Sequence, residues 1–225
     1  MSVAAVLFDL DDTLIDWEGS SDRCVRDLGG DEVADQLLAY IRHHHWTRRD
    51  GVVVHRNTWK VHEGGEELWA QALPHLDEAE LTLAVKRFRE ELWVGFYPDT
   101  VPTLDVLSDR YRVAVLSNNR NLPNEVARLR LDDWVEVALT PPGDIMKPDP
   151  RAFDHACQAL GLPPERVAYV GDSVLADVEG SRAAGLVPIW VDRYDDGWPL
   201  PAGVHRITTL AELPALLQRL GAAAR

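Results

Sequence analysis

The chain has 225 residues, of which 46% are hydrophobic and 27% are charged, and its formal net charge is −14. This length can supply one substantial core, or a core with a smaller domain, while the negative charge argues against broad binding of nucleic acid or anionic membranes. No apolar segment approaches the ~20 residues of a membrane-spanning helix, the N-terminus lacks a secretory leader, and the two cysteines, Cys24 and Cys157, are too few for a disulfide framework, so we expect a cytoplasmic protein.

The first predicted element is a buried strand at residues 3–8, and similar short apolar runs alternate with helical periodicity after residue 100. Continuous rather than alternating hydrophobicity is typical of strands that are buried on both faces. The pattern therefore predicts an α/β fold with a doubly wound parallel sheet and helices on both sides. The later predicted strands are 113–116, 135–139, 167–170 and 187–191, and the clearest helices are 151–160 and 210–220.

A long segment separates the first two predicted strands, since roughly 100 residues lie between them where a strand-to-strand crossover needs far fewer. Its apolar residues recur with helical spacing, as at 33–41 and 81–92. We therefore predict a mainly helical inserted domain at residues 17–97 and a core domain formed by residues 1–16 and 98–225. The insertion holds five of the eight tryptophans, which we expect to be mostly core residues: Trp17, Trp46, Trp59, Trp69 and Trp93.

Polar side chains follow several of the predicted strands, at the point where each strand ends. Any one of them could be an ordinary turn residue or helix cap. In an open parallel sheet, however, ligands bind beyond the carboxyl ends of the strands, so these groups should converge on one site. The residues concerned are Asp9, Asp11 and Thr13 after the first strand, Ser117 and Asn118 after the second, and Asp172 and Asp177 after the fourth.

Several carboxylates gathered at one strand-end site repel each other strongly, and one of them would be forced to take up a proton. A divalent cation removes this repulsion. Oxygen ligands without a nearby histidine or cysteine suit Mg²⁺. The sequence therefore predicts a magnesium site among these aspartates.

Lys147 is singled out by the use of basic residues in this chain, which has 20 arginines and only three lysines. It lies in the stretch "IMKPDP", between the third and fourth core strands. A compact ammonium can approach both a nucleophile and a phosphate oxygen. Asp149 and Pro150 should then begin the next helix and fix the loop that presents Lys147.

Four of these stretches together resemble the motifs of the haloacid dehalogenase-like (HAD) superfamily of phosphotransferases. They are "DLDDT" at 9–13, "VAVLS" ending at Ser117, Lys147 in "KPDP", and "GDSVLAD" at 171–177, and they occur in the family's order. The resemblance covers the core domain and implies a Rossmann-like fold. The insertion is similar to the helical cap of the family's capped branch.

The resemblance implies a reaction through an aspartyl-phosphate. Asp9 would be the nucleophile that attacks phosphorus. Asp11 would protonate the leaving alcohol and then deprotonate the attacking water. Lys147 would neutralise charge on Asp9 and on the transferring phosphoryl group.

The resemblance also implies the binding residues. Thr13 and Ser117 would bind phosphate oxygens, and the amide of Asn118 is a candidate phosphate or substrate contact. The candidate Mg²⁺ ligands are the Asp9 carboxylate, the Asp11 main-chain carbonyl, Asp172 and Asp177, the last either a ligand or a near neighbour of the ion.

These assignments favour a Mg²⁺-dependent phosphatase that acts on a small phosphate monoester such as a sugar phosphate, phosphoglycolate or a nucleotide. A phosphomutase of the β-phosphoglucomutase type uses the same motifs. A phosphonate hydrolase would need a lysine in the insertion, for which Lys60 is the candidate, and a non-catalytic binding protein is a further alternative. The family's dehalogenases lack a carboxylate at the position of Asp11 and need no metal, so a dehalogenase is disfavoured.

One segment of the insertion is basic in an otherwise acidic chain. Residues 42–62 carry five basic side chains against Asp50, and five of the eight histidines. These groups could contact an anionic substrate, or they could form a solvated helix face. The run His43–His45 is a poor metal chelate because consecutive helical residues point in different directions. We expect a small phosphorylated metabolite as partner, and a monomer or homodimer without nucleic acid or membrane partners.

Overall fold

The computed structural model of the protein describes residues 2–57 and 60–223. The chain forms two compact units, which we call the core unit, Met1–Ile15 with Phe96–Arg225, and the inserted unit, Asp16–Gly95. The sequence-based boundaries of the insertion, 17 and 97, differ from these by one and two residues.

The strands of the described chain are β1 (Ala5–Phe8), β2 (Thr47–Arg49), β3 (Val52–His55), β4 (Arg112–Leu116), β5 (Val137–Leu139), β6 (Val167–Gly171), β7 (Val187–Val191) and β8 (His205–Ile207). The helices are α1 (Trp17–His44), α2 (Lys60–Glu63), α3 (Gly65–Ala72), α4 (Glu78–Glu91), α5 (Thr100–Ser108), α6 (Leu122–Leu129), α7 (Pro150–Leu160), α8 (Gly180–Ala183) and α9 (Leu213–Ala223). Within the described residues, no helix combines the length and the apolar character that a membrane crossing requires.

The core unit is built on a parallel sheet with the strand order β5-β4-β1-β6-β7-β8. All four residues of β1 are fully buried. Ala5 and Leu7 pack with Phe153 and Ala156 of α7, while the pleat points Val6 and Phe8 to the opposite face. The predicted α/β fold with a doubly wound parallel sheet is therefore confirmed.

Most predicted core strands coincide with observed ones, and the differences lie at the edges of the sheet. The run at 135–139 contains β5, which begins only at Val137. The sixth strand, β8, was not predicted. It is three residues long and reads His-Arg-Ile, with only Ile207 buried, so it carries too little hydrophobic pattern to be recognised.

Helix α7 begins as the sequence predicts, with Asp149 as its N-cap and Pro150 in the first turn. The Asp149 side chain accepts a hydrogen bond from the backbone N–H of Arg151 at 3.0 Å. This cap fixes the chain two residues after Lys147 and so limits the freedom of the loop that carries it.

The inserted unit is mostly helical and has a hydrophobic core of its own. Leu37 and Ile41 of α1, Trp69 of α3, and Val85 and Phe88 of α4 pack together in it. Helix α1 is interrupted where Gly30 has a φ of +80°, a conformation that glycine adopts without steric cost.

The basic segment at 42–62 is not a single helix face, which corrects one of our two expectations for it. It comprises the end of α1, an antiparallel hairpin of β2 and β3, and the start of α2. Asp50 and Gly51 at the hairpin turn both have positive φ, 51° and 83°, as a two-residue type I′ turn requires. In the sequence, the signal for this hairpin is the Asp-Gly pair between "TRR" and "VVVH". Helical periodicity alone does not reveal it.

Candidate active site

The candidate site lies where the direction of strand addition reverses. From β1 the chain adds β4 and β5 on one side and β6, β7 and β8 on the other. In such sheets the ligand crevice lies at this reversal, beyond the carboxyl ends of the strands. Asp9 follows β1, Ser117 follows β4 and Asp172 follows β6, so all three leave the sheet at this edge.

The Lys147 ammonium lies at the centre of the site and has three hydrogen-bond acceptors. Its Nζ donates to Asp9 Oδ1, Asp177 Oδ1 and Tyr169 Oη, each at 2.7 Å. The side chain is only 3% exposed. An ammonium has three protons and no acceptor, so these contacts satisfy it completely. Burial alone would lower the pKa of Lys147, but the charges of Asp177 and Asp9 outweigh burial and raise it, so the group stays cationic.

Asp177 is held rigidly on the far side of Lys147. Its Oδ2 accepts a hydrogen bond from the backbone N–H of Ser173 at 2.9 Å, and Ser173 caps the π-helical turn Val174–Glu179 that carries Asp177. Gly171 makes this approach possible, because a Cβ there would lie 2.4 Å from the Asp177 carboxyl carbon. The glycine in "GDS" is therefore required by close packing against a site carboxylate.

Three carboxylates form a cluster that could hold a metal ion. Oxygens of Asp9, Asp172 and Asp177 all lie within 4.8 Å of one another. Burial, together with the Asp177 charge, raises the pKa of Asp9 to about 6 despite the opposing charge of Lys147. Burial and the charges of Asp177, Asp12 and Asp9 raise the pKa of Asp172 well above its usual range.

The donor set of this cluster fits a hard divalent cation. It consists of oxygens, and three carboxylates lie near the single ammonium of Lys147, so negative charge is in excess when all three are ionised. A cation among these oxygens would relieve that excess, and Mg²⁺ prefers such ligands. The donor chemistry of Asp9 and Asp172 therefore fits Mg²⁺.

Asp11 lies at the rim of the cluster with hydrogen-bond donors on both of its oxygens. Ser117 Oγ lies 3.4 Å from Oδ2, and Asn119 Nδ2 donates to Oδ1 at 3.2 Å. Burial first, and then the charges of Asp9 and Asp12, raise the pKa of Asp11 to about 7. A carboxyl group with this pKa can both give and take a proton near neutral pH.

Thr13 and Ser117, the predicted phosphate-binding residues, are both buried at the same edge of the sheet. The Thr13 hydroxyl donates to Asp172 Oδ1 at 3.3 Å. The Ser117 hydroxyl contacts Asp11 and also accepts from the backbone N–H of Asn119 at 3.1 Å. Together with Lys147, the first and second motifs thus surround the carboxylate cluster.

Asn118 is placed differently from our expectation of a substrate contact. Its side-chain amide donates to the Lys147 carbonyl at 3.1 Å and accepts from the Lys147 N–H at 2.9 Å. Both ends of the amide are thus occupied by the main chain of Lys147. Asn118 therefore ties the end of β4 to the lysine loop and orients Lys147.

Sequence reasoning missed three residues that support the site: Tyr169, Trp190 and Asn119. Tyr169 is buried in β6, where its hydroxyl contacts Lys147, Asp177 Oδ1 and the Leu116 carbonyl. Trp190 donates from Nε1 to the Asp172 carbonyl at 2.8 Å. Tyr169 and Trp190 stand in apolar runs and give no signal beyond burial, whereas Asn119 is a polar residue at the end of the second predicted strand to which we had assigned no role.

A family model described as haloacid dehalogenase-like hydrolase matches residues 3–185. The chain belongs to this family. It is therefore a HAD-like hydrolase, and the resemblance inferred from the four motifs is confirmed at this level.

Full-length relatives of this HAD-like hydrolase carry out more than one chemistry. (S)-2-haloacid dehalogenase 1 of Pseudomonas sp. (strain CBS-3) is 26% identical over 97% of this chain and 98% of its own length. N-acylneuraminate-9-phosphatase of Rattus norvegicus is 27% identical over 97% and 95%. The crystal structure of a HAD phosphatase from Thermococcus onnurineus, 26% identical, superimposes with a TM-score of 0.59 over 96% of this chain and 98% of that one.

The basic segment of this HAD-like hydrolase is largely engaged within the inserted unit. Arg56 and Arg42 approach Glu18 at 2.8 and 3.5 Å. Together with Arg48, they also surround the Trp46 ring, with guanidinium carbons 4.3 to 5.8 Å from its centroid. Ion pairing and cation–π contacts therefore account for much of this charge.

The tryptophans and the histidine run of the inserted unit lie in different environments. Trp69 is a core residue and 1% exposed, whereas Trp93 is 68% exposed, against our expectation. Trp59 lies outside the described residues. His44 Nδ1 contacts the Tyr40 carbonyl at 2.9 Å, and among the described residues the run His43–His45 is not part of a group of potential metal ligands.

Proposed function

We propose that this HAD-like hydrolase is a Mg²⁺-dependent phosphatase that acts on a small phosphate monoester, such as a sugar phosphate, phosphoglycolate or a nucleotide. The observation that carries the proposal is the pair Asp9 and Asp11. Asp9 is a nucleophile candidate bonded to a buried lysine, and the pKa of Asp11 is about 7. Phosphoryl transfer to a carboxylate requires a nearby acid and base, which this pair supplies.

In the first step the Asp9 carboxylate attacks phosphorus. A bond forms between an Asp9 oxygen and phosphorus, and the bond from phosphorus to the substrate's ester oxygen breaks. The Asp11 carboxyl gives its proton to that oxygen, so a neutral alcohol leaves and Asp11 becomes a carboxylate. The product on the protein is an aspartyl-phosphate at Asp9.

In the second step a water molecule attacks the same phosphorus. The Asp11 carboxylate accepts a proton from the water, the bond between phosphorus and Asp9 breaks, and inorganic phosphate is released. Asp11 is then protonated and Asp9 ionised, as at the start. A pKa near neutrality suits Asp11 for both proton transfers.

The remaining site residues would bind the phosphoryl group or hold the metal ion. The hydroxyls of Thr13 and Ser117 would donate to phosphoryl oxygens, and Lys147 would counter the charge that develops on the transferring group. The Asp9 carboxylate, the Asp11 carbonyl and Asp172 would hold Mg²⁺, which when bound supplies positive charge to the phosphoryl oxygens. Asp177, with both oxygens in hydrogen bonds, fits better as the residue that orients Lys147.

Haloacid dehalogenation is the second candidate, because two dehalogenases match 97% of this chain at 26% and 27% identity. It would use Asp9 to displace halide from carbon. The presence of Asp11 and of the Asp9, Asp172 and Asp177 cluster argues against it, since that reaction needs neither a second acid nor a metal.

One experiment distinguishes the two. The purified protein is incubated with p-nitrophenyl phosphate or with racemic 2-chloropropionate, with added Mg²⁺ or with EDTA. We expect phosphate release that depends on Mg²⁺ and is lost in Asp9→Asn, and no chloride release. Chloride release that is indifferent to EDTA would instead establish the dehalogenase and overturn the proposal.

A further inference from the structure

Arg193 lies outside all four motifs, two residues after the end of β7, with its side chain 11% exposed. Its guanidinium makes a planar, three-bond connection within the core unit. Nη2 donates to the Thr13 main-chain carbonyl at 2.8 Å and to Asp99 Oδ1 at 3.2 Å, and Nη1 donates to Asp99 Oδ2 at 3.0 Å. Such a bidentate fork is specific to arginine, because an ammonium cannot match its geometry.

The Asp99 end of this connection is fixed to the C-terminal part of the chain. Asp99 Oδ2 also accepts from the Leu210 N–H at 2.8 Å and from the Thr209 hydroxyl. The Tyr97 ring covers the guanidinium, with its centroid 3.7 Å from the guanidinium carbon of Arg193. The Asp99 partner of Arg193 is therefore itself held in place by other hydrogen bonds.

The Thr13 end holds the irregular turn that follows β1. The backbone N–H groups of Leu14 and Ile15 both donate to the Leu10 carbonyl, at 2.9 and 3.0 Å. Hydrogen bonds from Tyr97 N–H and Thr100 Oγ1 reach the next carbonyl, that of Leu14. The Thr13 carbonyl, by contrast, accepts from a side chain that comes from the other half of the sheet.

We propose that Arg193 is a positioning residue for the proposed phosphoryl transfer: it fixes the turn that carries Asp9, Asp11 and Thr13 against Asp99. The consequence for turnover rests on the proposed function, whereas the consequence for the turn does not. Loss of the fork frees the Thr13 carbonyl, and the turn then samples positions in which Asp9 and Asp11 are misaligned. Misplacement of reacting groups by about 1 Å can cost roughly 100-fold in rate.

The decisive variant is Arg193→Lys, which keeps the positive charge beside Asp99 but cannot make the three bonds. We expect kcat for p-nitrophenyl phosphate to fall roughly 10- to 100-fold, with KM changed much less, because alignment and not substrate affinity is lost. Hydrogen–deuterium exchange should rise at the Leu14 and Ile15 amides and leave β4 and β6 unchanged.

The chain offers a matched control in Arg112→Lys. Arg112 also makes a fork, to the Glu136 carboxylate, and donates to the main-chain carbonyl of Leu160 at 2.6 Å. It lies at the start of β4, and therefore at the end of the parallel strands opposite to their carboxyl ends, where the candidate site lies. This variant should leave both kcat and the exchange of residues 9–16 as in the wild type.

The outcomes separate cleanly. Unchanged exchange at residues 9–16 in Arg193→Lys, or raised exchange with unchanged kcat, overturns the proposal. A uniform rise across the core unit assigns Arg193 to general stability and also overturns it. If the lysine variant does not fold, Asp99→Asn, which keeps the side-chain shape, takes its place. A wild type without phosphatase activity refutes the proposed function, while the exchange pattern still decides whether Arg193 holds the turn.

Discussion

Charged groups are arranged in opposite ways in the two units. In the core unit, Asp9, Asp172 and Asp177 crowd around Lys147, and the pKa values of Asp9 and Asp172 are raised. In the inserted unit, Arg42 and Arg56 share Glu18. The first arrangement buries an excess of negative charge, which a cation and a reaction can use, whereas the second has an excess of positive charge that is partly exposed, since the Arg42 side chain is 46% exposed. Buried, uncompensated charge marks a functional site better than charge density does.

Asp9→Asn should have the largest effect, because it removes the proposed nucleophile while keeping the side-chain shape. We expect phosphate release to fall roughly 10⁴-fold or more, with the melting temperature little changed. Asp133→Asn, at an exposed aspartate of the same unit, is the matched control and should keep full activity. Residual turnover in Asp9→Asn within tenfold of the wild type would show that another group attacks phosphorus.

Lys147→Met tests the buried charge centre itself. It leaves Asp9 and Asp177 without the ammonium that they share, and breaking a buried pair costs roughly 3–5 kcal/mol. The free energy of unfolding from urea titration at pH 7.5 should fall by this amount, and phosphate release should be lost. An unchanged unfolding free energy would mean that these carboxylates do not depend on Lys147.

Magnesium should stabilise the protein, and more so at higher pH. Because the pKa values of Asp9 and Asp11 are raised to about 6 and about 7, the folded metal-free protein binds more protons than the unfolded chain between pH ~4 and ~7. These two groups therefore destabilise the fold as pH rises through that window. At lower pH a proton on Asp9, the one of the two carboxylates proposed as a ligand, competes with the metal.

The measurement is the shift in melting temperature on adding Mg²⁺, at pH 8.0 and at pH 5.5. We expect the larger shift at pH 8.0, by several degrees at saturating metal. Ca²⁺ or Mn²⁺ in place of Mg²⁺ tests ion selectivity, and Asp172→Asn should reduce the shift. Equal shifts at both pH values would show that protonation of these carboxylates does not control metal binding.

The sequence predicted the parts of the site that rest on residue type at strand ends. Asp9, Ser117 and Asp172 were identifiable because polar residues interrupt apolar runs at a topologically defined edge. Lys147 was identifiable because the chain otherwise uses arginine almost exclusively as its basic residue. Tyr169 was not, because a buried tyrosine in a strand reads as core, and its hydroxyl partners come from three separate segments.

The central strands of the fold were also predictable from their residue pattern. The prediction failed for strands that are too short to carry a clear pattern. The central strands carry continuous hydrophobicity, whereas β8 and the hairpin of β2 and β3 have three or four residues each. The position of Arg193 depends on Asp99 and Thr13, which lie 94 and 180 residues away along the chain. Such long-range pairing leaves no trace in local periodicity.

Arg56→Met tests the inserted unit and should lower stability without changing turnover. Arg56 is only 8% exposed at its side chain, pairs with Glu18 and stacks on Trp46, so its loss should cost roughly 1–3 kcal/mol. In a chain of this size that lowers the melting temperature by about 2–12 °C. Assayed below the transition, kcat for p-nitrophenyl phosphate should stay at the wild-type level.

Arg42 contrasts with Arg56, the other partner of Glu18. Its side chain is 46% exposed, and its distance to the Glu18 carboxylate is longer, 3.5 Å. Arg42→Met should cost less stability, because an exposed ion pair contributes little. If this exposed charge contacts substrate, the variant should raise KM for a nucleotide more than KM for p-nitrophenyl phosphate. Equal KM changes for both substrates would show that Arg42 does not bind substrate. Arg42 and Arg56 would then both have a structural role, beside Glu18 and Trp46.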